Sequence, residues 1–419
     1  MSGRRLGGRA SRFAPLRNPN FRRLLIGQTT SALGGAMVPI ALSFAILADG
    51  GSALDIGLVL GTVAVAELAL FLVAGVAADR YSRRLVMVVA DAVRGVSQLA
   101  LAALLIAGHA SIVGLCVCAG VQGVAGSFFA PAETALLPAV VDPAQLQPAN
   151  GLTQVASSAA GVLGPAVAGV LVVTIGGGWA IALNGASYLL NAAMLMRLRA
   201  REPEREKSAV DGVLTQLREG WTAFVAIDWY LTIASTFSIL QVFLGVYFSV
   251  GPVVAKEYLG GAGAWAAILA VGGIGSAVGG AALIHLRPHR PLAAAMLFSV
   301  PFCVMPLAVA LTLPLVVLCA LSAIAGAGVL VTLTLFDTVV QRVVAPEILG
   351  RVFAIDLSLS QIGLPVGLLL GGLLAPVFGS RIVLGAAGIG GATMCVLIAF
   401  LGPIRRMRLP PLETAAPTP

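Results

Sequence analysis

Glu67 stands near the middle of a largely apolar run from about residue 54 to 78, whose other charge, Asp55, is at its very start, and a carboxylate so placed has few chemical options. Left charged in hydrocarbon it costs about 2.5 kcal/mol or more, so it must be protonated, paired or hydrated, and it is expected to face a cavity. Asp337 and Asp356 pose the same problem nearer the ends of two later apolar runs. The three acids are the candidate sites for taking up and releasing a proton. Asp91 and Arg94 are three residues apart in another apolar run, on one helical face and within pairing reach, and read as a structural ion pair. The remaining charged constellation is Gly75-Val-Ala-Ala-Asp79-Arg80-Tyr-Ser-Arg83-Arg84, which sets four charges between two hydrophobic segments. A carboxylate at a helix end, such as Asp79, can meet the positive N-terminus of a neighbouring helix and hold an interface closed.

Other chemistries lack their residues. His109, His285 and His289 are scattered; the last two have helical metal-ligand spacing, but Pro288 and the missing acidic neighbour argue for a basic turn. No metal and no cofactor is expected. The glycine-rich stretch Gly272, Gly273, Gly275, Gly279, Gly280 is not followed by Gly-Lys-Ser or Gly-Lys-Thr, which excludes a nucleotide loop of that kind. A membrane-embedded enzyme would need a nucleophile with a base, or a metal cluster, at one depth, and neither is present.

The elements that must position these acids follow from composition. At 58% hydrophobic and 11% charged residues the chain has too little polar surface to wrap a water-soluble globule, in which about 25% is charged. In lipid only helices and closed barrels satisfy every amide, and apolar stretches near 20 residues long indicate helices. The chain therefore reads as an all-α integral membrane protein with twelve transmembrane helices. The spans are 24–48, 54–78, 85–108, 111–132, 150–175, 178–197, 229–254, 262–285, 291–312, 314–339, 351–376 and 381–402. All five cysteines fall inside apolar stretches and none in a loop, so they read as packing residues rather than a disulfide framework. Gly164, Pro165 and Gly169 in span 5 are suited to close approach and helix bending.

Charge orients the bundle. Of the 26 basic residues, all but Arg94, Lys256 and Arg381 lie in the two tails or in loops on the same side, so both termini are expected in the cytoplasm of a multi-pass inner-membrane protein. The formal charge of +8 then needs no nucleic acid as a partner. The Arg-rich, acid-free first 23 residues lack a small-residue cleavage site and read as a cytoplasmic tail. The one long polar interruption divides the spans six and six, giving a tail (1–23), a six-helix half (24–198), a cytoplasmic linker (199–222), a second half (223–404) and a closing tail (405–419). The halves repeat: Pro143 and Pro346, Leu146 and Leu349, Gly164 and Gly367, Gly169 and Gly372 are each 203 residues apart. A parallel repeat of two pseudo-symmetric halves places a substrate near the midplane between them.

Several segments carry a resemblance: the charged turn, Asp91-Ala-Val-Arg94, Leu146-Gln147-Pro-Ala149-Asn150, Gly164-Pro165-Ala-Val-Ala168-Gly169, Asn184-Gly-Ala-Ser187-Tyr188 and Pro346-Glu-Ile-Leu-Gly350-Arg351-Val352. In this order the chain resembles major facilitator superfamily transporters over residues 17–405, in the branch of the enterobactin exporter and macrolide efflux proteins. The resemblance implies that Asp79, with Arg80, Arg83 and Arg84, latches onto the start of span 11 at Gly350 and Arg351, favouring the outward-facing state. It also implies a cavity lined by spans 1, 4, 7 and 10, here offering Gln28, Gln122, Phe128, Phe129, Phe237, Gln241 and Tyr247. Such an apolar, aromatic wall suits an amphipathic substrate. The chain departs from drug:proton antiporters at Ala119, where they often carry arginine, and at Gly34-Gly35, where many relatives carry an acid. The implied function is export, by a monomer, of a small amphipathic compound such as a drug, siderophore or natural product in exchange for protons. The alternatives are a lipid or lysolipid flippase of the same fold and a receptor-like protein without flux.

Overall fold

The structure is a computed structural model describing residues 13–108, 110–198, 229–282, 288–344 and 346–407, with a few positions between 221 and 227. Its regular elements are helices: α1 (Pro19–Ala48), α2 (Ala53–Arg80), α3 (Arg83–Ile106), α4 (Ile112–Val140), α5 (Leu146–Ile175) and α6 (Gly177–Met196), then α7 (Tyr230–Tyr258), α8 (Ala262–Ala282), α9 (Pro291–Ala310), α10 (Leu315–Val343), α11 (Pro346–Gln361), α12 (Gly363–Phe378) and α13 (Ser380–Phe400). Helices α11 and α12 make one crossing, so twelve helical stretches are long and apolar enough to span a bilayer. The break at Ile362 has a local cause. Pro365 has no N–H to offer the carbonyl of Gln361, and the helix separates there. Most of the expected linker 199–222, the tails at 1–12 and 408–419, His109 and His285 lie outside the described residues.

Starts and stops are written locally. Asn18 caps α1 through Asn20 N at 2.9 Å with Pro19 in the first turn, and its amide reaches Val140 O at 2.8 Å, tying the start of α1 to the end of α4. Ser52 and Asp55 form a reciprocal capping box on α2, with Asp55 Oδ2 accepting from Ser52 N at 2.7 Å. The turns from α5 to α6 and from α12 to α13 both need a left-handed residue, and glycine supplies it: Gly176 at φ 91° and Gly379 at φ 89°, again 203 apart.

Within the first half α1 packs on α5 and α6, α3 on α4 and α6, and α2 on α4; in the second α9 packs on α10 and α13, α8 on α10, and α7 on α12 and α13. Between halves, α2 meets α12 and α5 meets α8. In lipid this association rests on van der Waals contact between small residues rather than on the hydrophobic effect. A Cβ on Gly372 would stand 2.5 Å from Leu54 Cα, Gly57 abuts the backbone of Leu368, and Gly169 abuts Ala266. These contacts gather at the end of the bundle opposite the chain termini. There a single buried core takes residues from both halves, including Met37, Ile40, Phe44, Tyr247, Val254 and Trp265. At the other end the buried residues form separate groups, one around Phe21, Met87, Leu136 and Leu195, another around Tyr230, Phe336, Val340 and Val352. The bundle is sealed at one end and divided at the other.

Candidate functional site

Among the described residues one cavity opens in each half and another between them. The first, about 230 Å³, belongs to the first half alone and is lined by Gln28 and Ser31 of α1, Arg94 of α3, Phe129 and Glu133 of α4, Thr153 and Ser157 of α5 and Tyr188 of α6. The second, about 260 Å³, is built by both halves: Ala64, Glu67 and Leu68 of α2 and Ser127 of α4 face Leu357, Ser358 and Gln361 of α11 and Leu364 of α12. The third, about 370 Å³, belongs to the second half and is lined by Phe237, Gln241, Phe302, Thr332, Phe336, Asp337, Asp356 and Gln361, among others. Leu357 and Gln361 are common to the second and third.

The first cavity is organised by Arg94. Its Nη1 meets Asp91 Oδ1 at 3.1 Å, its Nη2 donates to Tyr188 Oη at 2.7 Å, and its guanidinium lies 3.9 Å above the Tyr188 ring and 5.3 Å from that of Phe129. Asn191 Nδ2 donates to Asp91 Oδ2 at 2.6 Å, so the fully buried carboxylate is held from two helices. The Asp91–Arg94 pair expected from spacing is therefore present, but Arg94 also reaches the cavity wall, which a purely structural pair does not require. Glu133 of α4 shares the wall of this cavity with Arg94. Glu133 lies one residue beyond the expected end of span 4 at 132, whereas α4 continues past Pro131 and Pro138 to Val140. The 203-residue offset carries the signal that finds it. Span 10, drawn to 339, implies by that offset a span 4 reaching 136.

Glu67 faces the interface between halves, and Gly126 leaves the room it uses: a Cβ there would lie 2.8 Å from Glu67 Oε1. Asp337 and Asp356 come together on the third cavity. Asp356 Oδ1 and Ser360 Oγ, one helical turn apart on α11, are both buried there. Gln241 of α7 donates to Gln361 Oε1 at the last residue of α11, beside the break at Ile362. Phe237 packs edge-on against Phe336, centroids 5.3 Å apart. The two half-cavities are also copies of one another. Phe129 and Thr332, Glu133 and Phe336, Thr153 and Asp356, Ser157 and Ser360 line corresponding walls, each pair 203 apart.

Four of the seven residues expected on a cavity wall, Gln28, Phe129, Phe237 and Gln241, are on one. Tyr247 is a correction: it lies in the joint core at the sealed end, its ring 4.8 Å from that of Trp265, because the bulky end of α7 is enclosed where the halves meet. Gln122 is buried among helices and Phe128 is half-buried, and neither lines any of the three cavities. Gly164 abuts Ala36 of α1, and α5 runs unbroken past Pro165. Of the charged turn, Arg84 Nη1 donates to Leu198 O at 2.7 Å and Arg83 is half-buried at the start of α3. The side chains of Asp79, Arg80 and Arg351 and the surroundings of Gly350 lie outside the described residues.

Twelve crossings in two repeated halves, sealed together at one end, with a carboxylate between them and others on the cavity within each, define a membrane transporter of the major facilitator kind rather than an enzyme. A family profile described as transmembrane secretion effector matches residues 10–419, and the chain belongs to that family of major facilitators. Among curated relatives it is 27% identical to the multidrug efflux pump Tap of Mycolicibacterium fortuitum over 407 residues, covering 92% of this chain and 96% of that one. It is 26% identical to the pump of the same name from Mycobacterium tuberculosis over 382 residues, covering 87% and 88%. The fold matches that of a bacterial homologue of the human lysosomal transporter Spinster, in an inward-facing and unoccupied conformation, with a TM-score of 0.75, 16% identity and coverage of 96% and 100%. It also matches the nucleoside transporter NupG, with a TM-score of 0.72, 12% identity and coverage of 93% and 100%.

Proposed function

We propose that the protein is a drug-efflux transporter that exports small amphipathic compounds across the cell membrane in exchange for protons. The observation that carries the reading is the position of Glu67. Its cavity takes walls from α2 and α4 of one half and from α11 and α12 of the other, so its carboxyl changes surroundings whenever the halves rock apart. A proton bound there is exposed first to one compartment and then to the other. The aromatic third cavity beside it, with Asp337 and Asp356 on its wall, suits a lipophilic cargo carrying polar groups, as the name of the Tap relatives also suggests. Each chain carries a complete set of cavities, and the working unit is taken as a monomer.

The basic residues at the divided end, among them Arg17, Arg22, Arg83, Arg84, Arg290 and Arg405, support the reading, under the positive-inside rule, that this end and both termini face the cytoplasm. The conformer is then closed outward. In the outward-facing state Asp79, supported by Arg80, Arg83 and Arg84, closes the cytoplasmic side against the start of α11 at Gly350 and Arg351. Reconstitution into vesicles tests the function: with an imposed pH gradient, a panel of lipophilic drugs should include compounds moved uphill, and a protonophore should abolish that movement. Transport indifferent to the gradient would refute proton exchange.

A further inference from the structure

The wall of the third cavity carries a chemistry that proton exchange does not use. Cys303 of α9 lines this cavity, and its Sγ lies 3.5 Å from Sγ of Cys395 on α13. Both thiols are buried, and each has the other as its only polar contact among the described residues. The pair is set up by its neighbours. Gly391, one turn before Cys395, leaves the space in which Cys303 sits, since a Cβ there would stand 3.3 Å from Cys303 Cβ and 3.6 Å from its Sγ, and Phe243 closes the same face at 3.3 Å. The other three cysteines, Cys116, Cys118 and Cys319, are partly exposed on α4 and α10.

We propose that Cys303 and Cys395 form a dithiol site for trivalent, monosubstituted arsenicals that arrive through the third cavity, and that the adduct obstructs this cavity and stops transport. The reaction balances without an oxidant. An organoarsenous acid, RAs(OH)2, gives up both hydroxyls as two waters, each taking the proton of one thiol, and two As–S bonds replace two As–O bonds while arsenic stays trivalent. Geometry selects arsenic among soft acceptors. Two-coordinate mercury or copper(I) is linear and drives its sulfurs to opposite sides, which would pry α9 from α13. Pyramidal arsenic(III) holds two sulfurs side by side, as these already are. Zinc requires four ligands, and no group of three or more histidine, cysteine or acidic residues exists among the described residues to supply them.

The test uses the purified full chain and phenylarsine oxide. One equivalent is expected to bind, to resist excess monothiol and to leave on addition of a small dithiol, with Cys303 and Cys395 protected from N-ethylmaleimide in peptide maps. Removing either sulfur leaves a single As–S bond, so Cys303→Ala and Cys395→Ala should each weaken binding about 100-fold, the gain expected from holding two contacts together. Alanine keeps the wall apolar, and the peptide maps of the parent protein decide the matter if either variant fails to fold. Equal binding by either variant, release by monothiol, or protection of Cys116, Cys118 or Cys319 instead would overturn the site. In vesicles the arsenical should abolish cargo movement by the parent and leave Cys395→Ala at its own untreated rate. An adduct that leaves the parent's transport intact would refute the obstruction while the binding result stands, whatever the cargo proves to be.

Discussion

Lys256 Nζ donates to Leu47 O at 2.6 Å and so joins the last turn of α7 to the last turn of α1 across the two halves. The bond gives a second donor to a carbonyl in the last turn of α1 that also accepts from Gly50 N at 3.3 Å, and the ammonium lies at the negative end of that helix. It sits over the joint core and belongs to the closed arrangement of this end, because separating the halves must break it.

Lys256→Met should therefore weaken the closed end while preserving the packing of the side-chain stem. A charge-assisted bond of this exposure contributes about 1 kcal/mol, about fivefold in the ratio of closed to open conformers. Spin labels at Asp49 and Tyr258, both exposed beside the bond, should show a larger population at long separation. An unchanged distance distribution would mean that the core alone keeps this end shut.

The pair formed by Asp91 and Arg94 makes a prediction about stability. Arg94→Gln leaves a fully buried carboxylate with Asn191 as its remaining partner, and stranding a buried charge costs about 3 kcal/mol. The melting temperature in detergent should fall clearly. Asp91→Asn combined with Arg94→Gln removes both charges and should recover most of the loss. If Arg94→Gln alone melts with the parent, the pair is not what holds α3 against α6.

That pair also shows how far the sequence could be read. Three-residue spacing on a helix is a local fact, so the partnership of Asp91 and Arg94 was legible, as were twelve apolar spans set by bilayer thickness. Which way Arg94 points beyond Asp91 depends on how α3 is rotated against α6. In lipid hydropathy does not fix that rotation, since the outward face of a helix is as apolar as its inward face. Tyr247 was misplaced for the same reason. Glu133 was lost because a window tuned to apolar length stops at the first charge, whereas α4 runs on into the aqueous end of the divide. The offset between halves was the stronger instrument: it relates Gly176 to Gly379 and the wall residues Ser157 to Ser360.

One chemical change made at two glycines separates closure from helix propensity. Gly372→Ala places a methyl 2.5 Å from Leu54 Cα, a backbone atom that cannot swing aside, so α12 must move off α2. Gly151→Ala in α5 meets nothing within 4 Å and gains about 0.8 to 1 kcal/mol of helix propensity. Labels at Ser52 and Phe378 should report a longer separation for the first variant and the parental one for the second. Parental distances in both would mean that α2 and α12 absorb the methyl without parting.

The last prediction asks Glu67 to carry the coupling. It is the carboxylate whose cavity has walls from both halves, whereas Glu133 lies wholly within the first half and Asp337 and Asp356 within the second. Glu67→Gln keeps the size and the hydrogen-bonding groups beside Gly126 and Ser127 but cannot titrate. Expression, melting temperature and drug binding should stay near parental values, downhill exchange should continue, and uphill export driven by a pH gradient should be lost. Glu133→Gln is the discriminating comparison, because it removes the acid that shares the first cavity with Arg94 without touching the interface between halves. Retained uphill export in Glu67→Gln together with its loss in Glu133→Gln would move the proton site into the first cavity. Retention in both would move it to Asp337 and Asp356, leaving Glu67 as a neutral packing residue at the seam.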